Sequence, residues 1–424
     1  MVDPTPEPEP EPDAALNATM NAVAYNLTSS TTTVKATLSR TEGLTEEDKQ
    51  DWTVVDPTGA ITQTRVAITA SGVVTFTIGR VDTTSLNSGS VAMKVMHGGA
   101  TYATAIVNYS PTATLTTDSA DKLLTDGAEN ITSLKINNVI VDLADYDITS
   151  ADSSVARVEN NTITPLQPGQ AIFVVSKKDD ASKTVEAKIT FYTPAAKVGD
   201  TYYKTIANAF RAAPSGSTIV MQEDTTESIL FSGTAPRVQD FELTLDLNGH
   251  VLTAPATSDY ALRVDYGVVT VKDSVGTGGI AYGRNYAIMI SHLAGDYPSK
   301  IIIESGSFTG KTSVAQAGLP GGSGANYKYY GGDLVVKGGT FEAVPDTGET
   351  YDENGNFKYL LNMLDMNESA YAGGIYSPSS ISVEGGTFKK FNPADCAAEG
   401  ANTNFVADGY QVTRDGDWYT VSAV

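Results

Sequence analysis

The chain is short of the residues that staple a fold, ligate metals and neutralise phosphate. One cysteine, Cys396, stands among 424 residues, which excludes an intrachain disulfide and any multi-cysteine metal centre. Three histidines, His97, His250 and His292, are scattered and lack a spacing such as His-x-x-x-His, so no metal is expected. Lys and Arg number 28 against 50 Asp and Glu, a net charge of −22. Without a basic surface, nucleic-acid binding is not expected. No apolar run approaches the ~18 residues that a membrane span needs. A leader pattern is also missing, since Met1 is followed by alternating proline and glutamate rather than a basic and then an apolar stretch. Either the chain acts where it is made or a leader has been removed.

What is present is a repeat. Five short segments share one pattern: Leu243-Thr-Leu-Asp-Leu247, Val269-Thr-Val-Lys-Asp273, Ile301-Ile-Ile-Glu-Ser305, Leu334-Val-Val-Lys-Gly338 and Ile381-Ser-Val-Glu-Gly385. The first and third positions are aliphatic and the fourth is charged. Side chains alternate across a strand, so the aliphatics face one way and the charge the other. Recurrence at long, uneven intervals predicts strands stacked as successive coils of a parallel solenoid, with loops of variable length between them. Leu245, Val271, Ile303, Val336 and Val383 are expected to stack inside. The outward charges Asp246, Lys272, Glu304, Lys337 and Glu384 alternate in sign, which predicts a ladder of cross-strand ion pairs.

Composition shifts divide the chain into an extended Pro/Glu arm (1–13), a β-sandwich (14–110), a second β-sandwich (111–193) and the solenoid (194–424). In the first sandwich, apolar runs such as Val73-Val-Thr-Phe-Thr-Ile78 and Val91-Ala-Met-Lys-Val-Met96 alternate with turn signals at Asp56-Pro-Thr-Gly59 and Gly98-Gly99. A short helical turn fits within 40–52. At the start of the solenoid, Ile206, Ala209, Phe210 and Ala213 share one face of a short helix. Such a helix would cover an end that otherwise exposes apolar surface and strand edge.

Two stretches carry family resemblances. Tyr146-Asp-Ile-Thr-Ser-Ala-Asp-Ser-Ser-Val-Ala-Arg-Val-Glu159 and Asn161-Thr-Ile-Thr-Pro-Leu-Gln-Pro-Gly-Gln-Ala-Ile-Phe-Val-Val175 resemble bacterial immunoglobulin-like domains of group 2. That resemblance implies an immunoglobulin-like spacer or adhesion module. Leu243-Thr-Leu-Asp-Leu-Asn-Gly-His250, with the corners Ser305-Gly-Ser-Phe308, Gly338-Gly-Thr-Phe341 and Gly385-Gly-Thr-Phe388 and the ending 404–421, resembles pectin-lyase-like right-handed β-helices. The fold class implied is all-β: two immunoglobulin-like sandwiches, then a right-handed parallel β-helix with an N-terminal capping helix. Glycines fit the tight corners, and each Phe is expected to stack beneath the next.

That family hosts lyases and glycosidases, which bring several acids together for calcium or for paired carboxylate catalysis. Here acid alternates with base, so no catalytic residue and no cofactor is expected. Asp246 with His250 is separated by an Asn-Gly turn. Arg263, Asp265 and Arg284 read as surface charges, and Asp352-Glu-Asn-Gly-Asn356 as a hairpin turn between Tyr351 and Phe357. Gly318–Gly324 has no following helix to cradle phosphate. Tyr327, Tyr329 and Tyr330 cluster in one long loop and are the binding candidates, since tyrosine stacks on sugars and anchors interfaces.

The leading expectation is a non-catalytic virion protein, a bacteriophage head fibre or capsid decoration. It would be held to the capsid by the 1–13 arm, act as a homo-oligomer and bind host surface polysaccharide. The alternatives are a bacterial surface adhesin lacking its leader, located outside the cell, and a polysaccharide lyase or glycosidase of the β-helix type.

Overall fold

Thr31–Leu38 alternates exposed polar residues with buried Val34, Ala36 and Leu38, the period of a strand with one dry face. That alternation recurs through most of the first half of the computed structural model. Described residues are 16–39, 46–232, 241–292, 299–311, 313–321, 328–344, 351–352, 355–364, 375–396, 399–400 and 402–424. The chain divides into two units, Met1–Phe191 and Tyr192–Val424. The 1–13 arm lies outside the described residues.

The first unit holds two apolar cores. One is enclosed by two four-stranded sheets. Their orders are Ala18–Met20, Thr31–Leu38, Val73–Arg80, Ile61–Ile68, and Ala24–Leu27, Ala100–Tyr109, Gly89–His97, Thr53–Val55. Val34, Phe76, Ile78, Met93 and Val107 meet between them. The expected helical turn falls at Glu46–Lys49. The second core lies between a sheet built around Glu129–Ile136 and a sheet of Tyr146–Ser150, Gly169–Lys177 and Asp180–Phe191. Its interior includes Leu134, Ile136, Ile163, Phe173 and Phe191. Asn160 and Asn161, at φ of 51° and 60°, turn Ala156–Glu159 back onto Thr162–Pro165. Asparagine tolerates that left-handed turn, which suits a two-residue hairpin.

These two sandwiches are joined by a specific clasp. Leu86, from the loop after Val73–Arg80, packs into the second core. Asn137 is fully buried. Its amide donates to the carbonyls of Thr83 at 3.1 Å and Ser85 at 3.0 Å, and its side-chain oxygen accepts from Thr112 N–H at 3.1 Å.

In the second unit the chain visits three sheets in turn, and a further three-stranded sheet stands apart from them. Ser217–Met221, Thr225–Thr226 and Ile229–Phe231 are followed by Glu242–Asp246, Val251–Thr253 and Leu262–Val264, then by Gly267–Lys272, Gly279–Ala281 and Ile288–Ile290. Each strand pairs in parallel with its counterpart one pass later. The passes continue through Ser299–Ile303, Asp333–Val336 and Ser380–Val383 on the first sheet. Leu245, Val271, Ile303, Val336 and Val383 align and are fully buried, as the repeat predicts. Each such side chain contributes about 1.5–3 kcal/mol relative to exposure.

On the second sheet, Phe308, Phe341 and Phe388 stack with centroids 5.1 and 4.9 Å apart and rings nearly parallel. The spacing matches the ~4.8 Å between neighbouring strands. The glycine corners have two distinct causes. A Cβ on Gly338 would lie 2.3 Å from the Glu304 carbonyl oxygen, and one on Gly385 2.2 Å from that of Lys337. Gly339 and Gly386 instead require φ of 98° and 104°, which only glycine adopts readily.

Helix Ile206–Ala212 buries Ile206, Ala209 and Phe210, with Ala213 also buried, on the predicted face. Thr205 accepts the Asn208 N–H as N-cap, and Glu227 accepts the N–H groups of Ile206 and Ala207. The row ends where Trp418–Ala423 pairs antiparallel with both Gly386–Lys389 and Tyr410–Asp415.

Candidate functional site

The outward charges follow the predicted register but do not form a ladder. Lys272 Nζ lies 3.6 Å from Asp246 Oδ2, and this is the one ion pair of the row among the described residues. Asp246 is 6 % exposed and also accepts from Asn248 N and Ser274 N at 3.0 Å. Ser299–Ile303 and Asp333–Val336 end one residue before Glu304 and Lys337. Those two charges therefore sit at the corner, where the chain turns away and their side chains are exposed.

The neighbouring corner places a carboxylate in a structural role. Asp273 accepts from Gly249 N at 2.8 Å, Gly278 N at 2.6 Å and Val275 N at 3.3 Å. Burial pushes its pKa up, but the backbone donors together outweigh burial and hold it below the ordinary carboxylate value. His250 faces Asp224, with Nδ1 to Oδ1 at 3.4 Å, rather than Asp246.

Asp265 departs from its expected place on the surface, being 1 % exposed. Oδ1 accepts from Arg263 Nε at 2.8 Å and Ser291 Oγ at 2.6 Å, while Oδ2 is buried without a partner. The outward face of this third sheet is itself covered, with Met289 and Gln316 each 5 % exposed. Arg284 stays at the surface and meets Asp259 at 3.3 Å.

The tyrosine cluster does not form one loop. Lys328–Tyr330 is a strand between Leu319–Gly321 and Ile375–Ser377, as tyrosine's preference for pleated surfaces allows. Tyr327 lies outside the described residues. Tyr329 belongs to the strand, and Tyr330 is half-buried.

A more open aromatic site lies where the second sheet meets the closing hairpin. Glu342 and Lys389 follow the stacked Phe341 and Phe388, so they face outward, and they form an ion pair. Tyr351 bridges Phe357 across the predicted turn, with the rings edge to face at 5.7 Å. Phe357 is buried, whereas Tyr351, at 42 % exposure, is the most open aromatic side chain described. The hairpin is held by Asp352, which accepts the Asn356 N–H at 2.8 Å, and by Tyr419 OH, which donates to Asn356 Oδ1 at 3.0 Å.

Lys390 Nζ stands 5.8 Å from the Tyr351 ring centroid and 3.7 Å from Asp417 Oδ2. Lys389 Nζ stands 5.7 Å from the Trp418 ring. The Glu342 hydrogen bond holds the Lys389 ammonium above the usual lysine range, and Asp417 and Tyr351 add to it. Together Glu342, Tyr351, Phe357, Lys389, Lys390 and Asp417 line a cavity of about 310 Å³, within the size range of small-ligand sites. Sequence reading missed it because its parts come from four separated stretches. The one local signal was the Tyr351–Phe357 turn.

Among the described residues, no three His, Cys, Asp or Glu side chains converge as a metal-binding set, and no helix is long and apolar enough to cross a membrane.

A family model described as the hyaluronate lyase N-terminal beta-sheet domain matches residues 136–189, within the second sandwich. No curated protein matches the chain. Solved structures similar to parts of it include the Escherichia coli adhesin FdeC, 13 % identical over 43 % of this chain and 64 % of that one, TM-score 0.17. The Yersinia pseudotuberculosis adhesin InvE is 17 % identical over 47 % and 66 %, TM-score 0.16. Invasin, a bacterial integrin-binding protein, is 13 % identical over 49 % and 46 %, TM-score 0.15. The chain spans less than two thirds of the length of each. The virion assignment finds no support in these comparisons.

Proposed function

We propose that this chain is a non-catalytic adhesion protein of a bacterial surface, in which immunoglobulin-like sandwiches accompany a right-handed parallel β-helix. The observation that carries this reading is the use of charge on the coils. Asp246 and Asp273 accept backbone N–H groups at the corners, and Glu342 and Asp417 in the open cavity are each held by a lysine. Most glycosidases instead place two carboxylates facing each other across the bound sugar. An exposed tyrosine beside ion-paired side chains suits binding rather than bond breaking.

The adhesin alternative is adopted in place of the virion reading. The experiment addresses both activity and location. Purified chain is applied to cells and glycan-coated surfaces, and then incubated with acidic and neutral polysaccharides. Retention on the surface without release of unsaturated or reducing ends is the expected result, and antibody labelling should mark the bacterial envelope. Product release, or labelling of phage particles instead of cells, would overturn the proposal.

A further inference from the structure

The cavity beside Tyr351 is specific enough to name the chemistry of its ligand. We propose that it holds one uncharged sugar residue of a surface glycan, stacked against Tyr351. This inference rests on the adhesion reading and narrows it to one site and one ligand class.

Two features of the lining point the same way. Its charges cancel, with Lys389 and Lys390 against Glu342 and Asp417. Each ammonium already has a carboxylate partner. An anionic sugar would have to displace those partners and approach a chain of net charge −22, against the field of the protein. A neutral sugar has hydroxyl groups that both donate and accept. It can therefore bond to the carboxylate and the ammonium of one ion pair without separating them.

The aromatic component supplies the other half of the recognition. Phe357 is buried and meets Tyr351 edge to face, so Tyr351 is fixed in orientation while much of its surface stays in water. A fixed, exposed ring beside polar groups suits the apolar C–H face of a pyranose, with the hydroxyls directed at the flanking charges. The tyrosine is placed by the Asp352–Asn356 hairpin, and that hairpin is tied to the closing strand through Tyr419 OH. A joint cavity in the first unit is larger, about 570 Å³, but its aromatic Tyr146 is 4 % exposed and offers no open ring.

The test uses the full chain over immobilised dextran, mannan and galactan as neutral probes, with polygalacturonate and polysialate as acidic ones. The expected result is binding to at least one neutral polymer that changes little between low and physiological salt. Tyr351→Ala should weaken it at least tenfold, Tyr351→Phe should retain it, and Asp417→Asn should weaken it severalfold. Circular dichroism of each variant establishes that the coils remain folded. Preference for the acidic polymers, absence of binding to every neutral polymer, or undiminished binding by Tyr351→Ala would each overturn the inference. Adherence to cells that persists in Tyr351→Ala removes this site but leaves the adhesion reading standing. A parent protein that adheres to nothing removes both.

Discussion

Asp273 accepts the backbone N–H of Gly249, a residue of the preceding pass, at 2.8 Å. Its own N–H is donated to Ser305 Oγ of the following pass at 2.7 Å. One residue thus ties three consecutive passes at the same corner. Asp273→Ala leaves buried N–H donors without acceptors and should destabilise the second unit by about 1–3 kcal/mol. The folded-state pKa of Asp273 is depressed. Its contribution is therefore complete above the unfolded carboxylate value of about 3.9 and is lost as pH falls through the lower, folded value. Urea melts of parent and Asp273→Ala from pH 7 to pH 2 should converge at the acid end. A constant gap across that range would show that the carboxylate charge does not stabilise the corner.

Gly338 should tolerate no side chain. A Cβ there meets the Glu304 carbonyl oxygen at 2.3 Å, and relief requires moving a backbone corner that is in register with its neighbours. Gly338→Ala is expected to cost about 1–3 kcal/mol, the usual range for overpacking, read as a lowered thermal midpoint.

Asn137 should govern the coupling between the two sandwiches of the first unit. Asn137→Ala removes both bonds to the 83–85 carbonyls and opens space beside Leu86. A loss of about 1–3 kcal/mol is expected, with proteolytic cleavage appearing near residues 82–88. A fragment of residues 14–193 gives the cleanest measurement. Unchanged protease resistance would mean that Leu86 alone maintains the joint.

Cys396 should be inert in the folded protein. Burial pushes its thiol up to about 12, and Glu399 and Asp395 add to the effect, so thiolate is scarce at neutral pH. A chromogenic disulfide reagent at pH 8 should label almost none of the native chain and one thiol per chain in denaturant. Rapid native labelling would show that this end of the coils opens readily.

The parts of the fold legible in the sequence are those where one residue type is demanded by one local constraint. The aliphatic positions at Leu245, Val271 and Ile303, the phenylalanine stack, the glycine corners and the buried face of the 206–212 helix all belong to this kind. The third sheet was less legible. Its strands run to three residues, as at Ile288–Ile290 and Ala315–Ala317, and are buried throughout, so no alternation marks them. In the first sandwich, Ala18–Met20 and Thr53–Val55 are similarly short. Burial of Asp265 depends on the covering of an outward face, which no neighbour in sequence reports. The charged ladder failed because a charge one place beyond a strand's end is at a corner, where side chains diverge. The Tyr351 cavity was invisible for a related reason, since Glu342, Lys390 and Asp417 become neighbours only after the coils stack.

The stacked phenylalanines have a consequence for how such a chain changes length. Phe308, Phe341 and Phe388 are interchangeable rungs, at almost identical spacing, while the residues between them number 32 in one interval and 46 in the next. What is held constant is the rung, and what varies is the excursion between rungs. Copying a stretch that contains one rung would extend the row by about 4.8 Å and leave both terminal caps with the surfaces they already cover. Reach is therefore a quantity that duplication can adjust in steps, independently of whatever the excursions come to recognise.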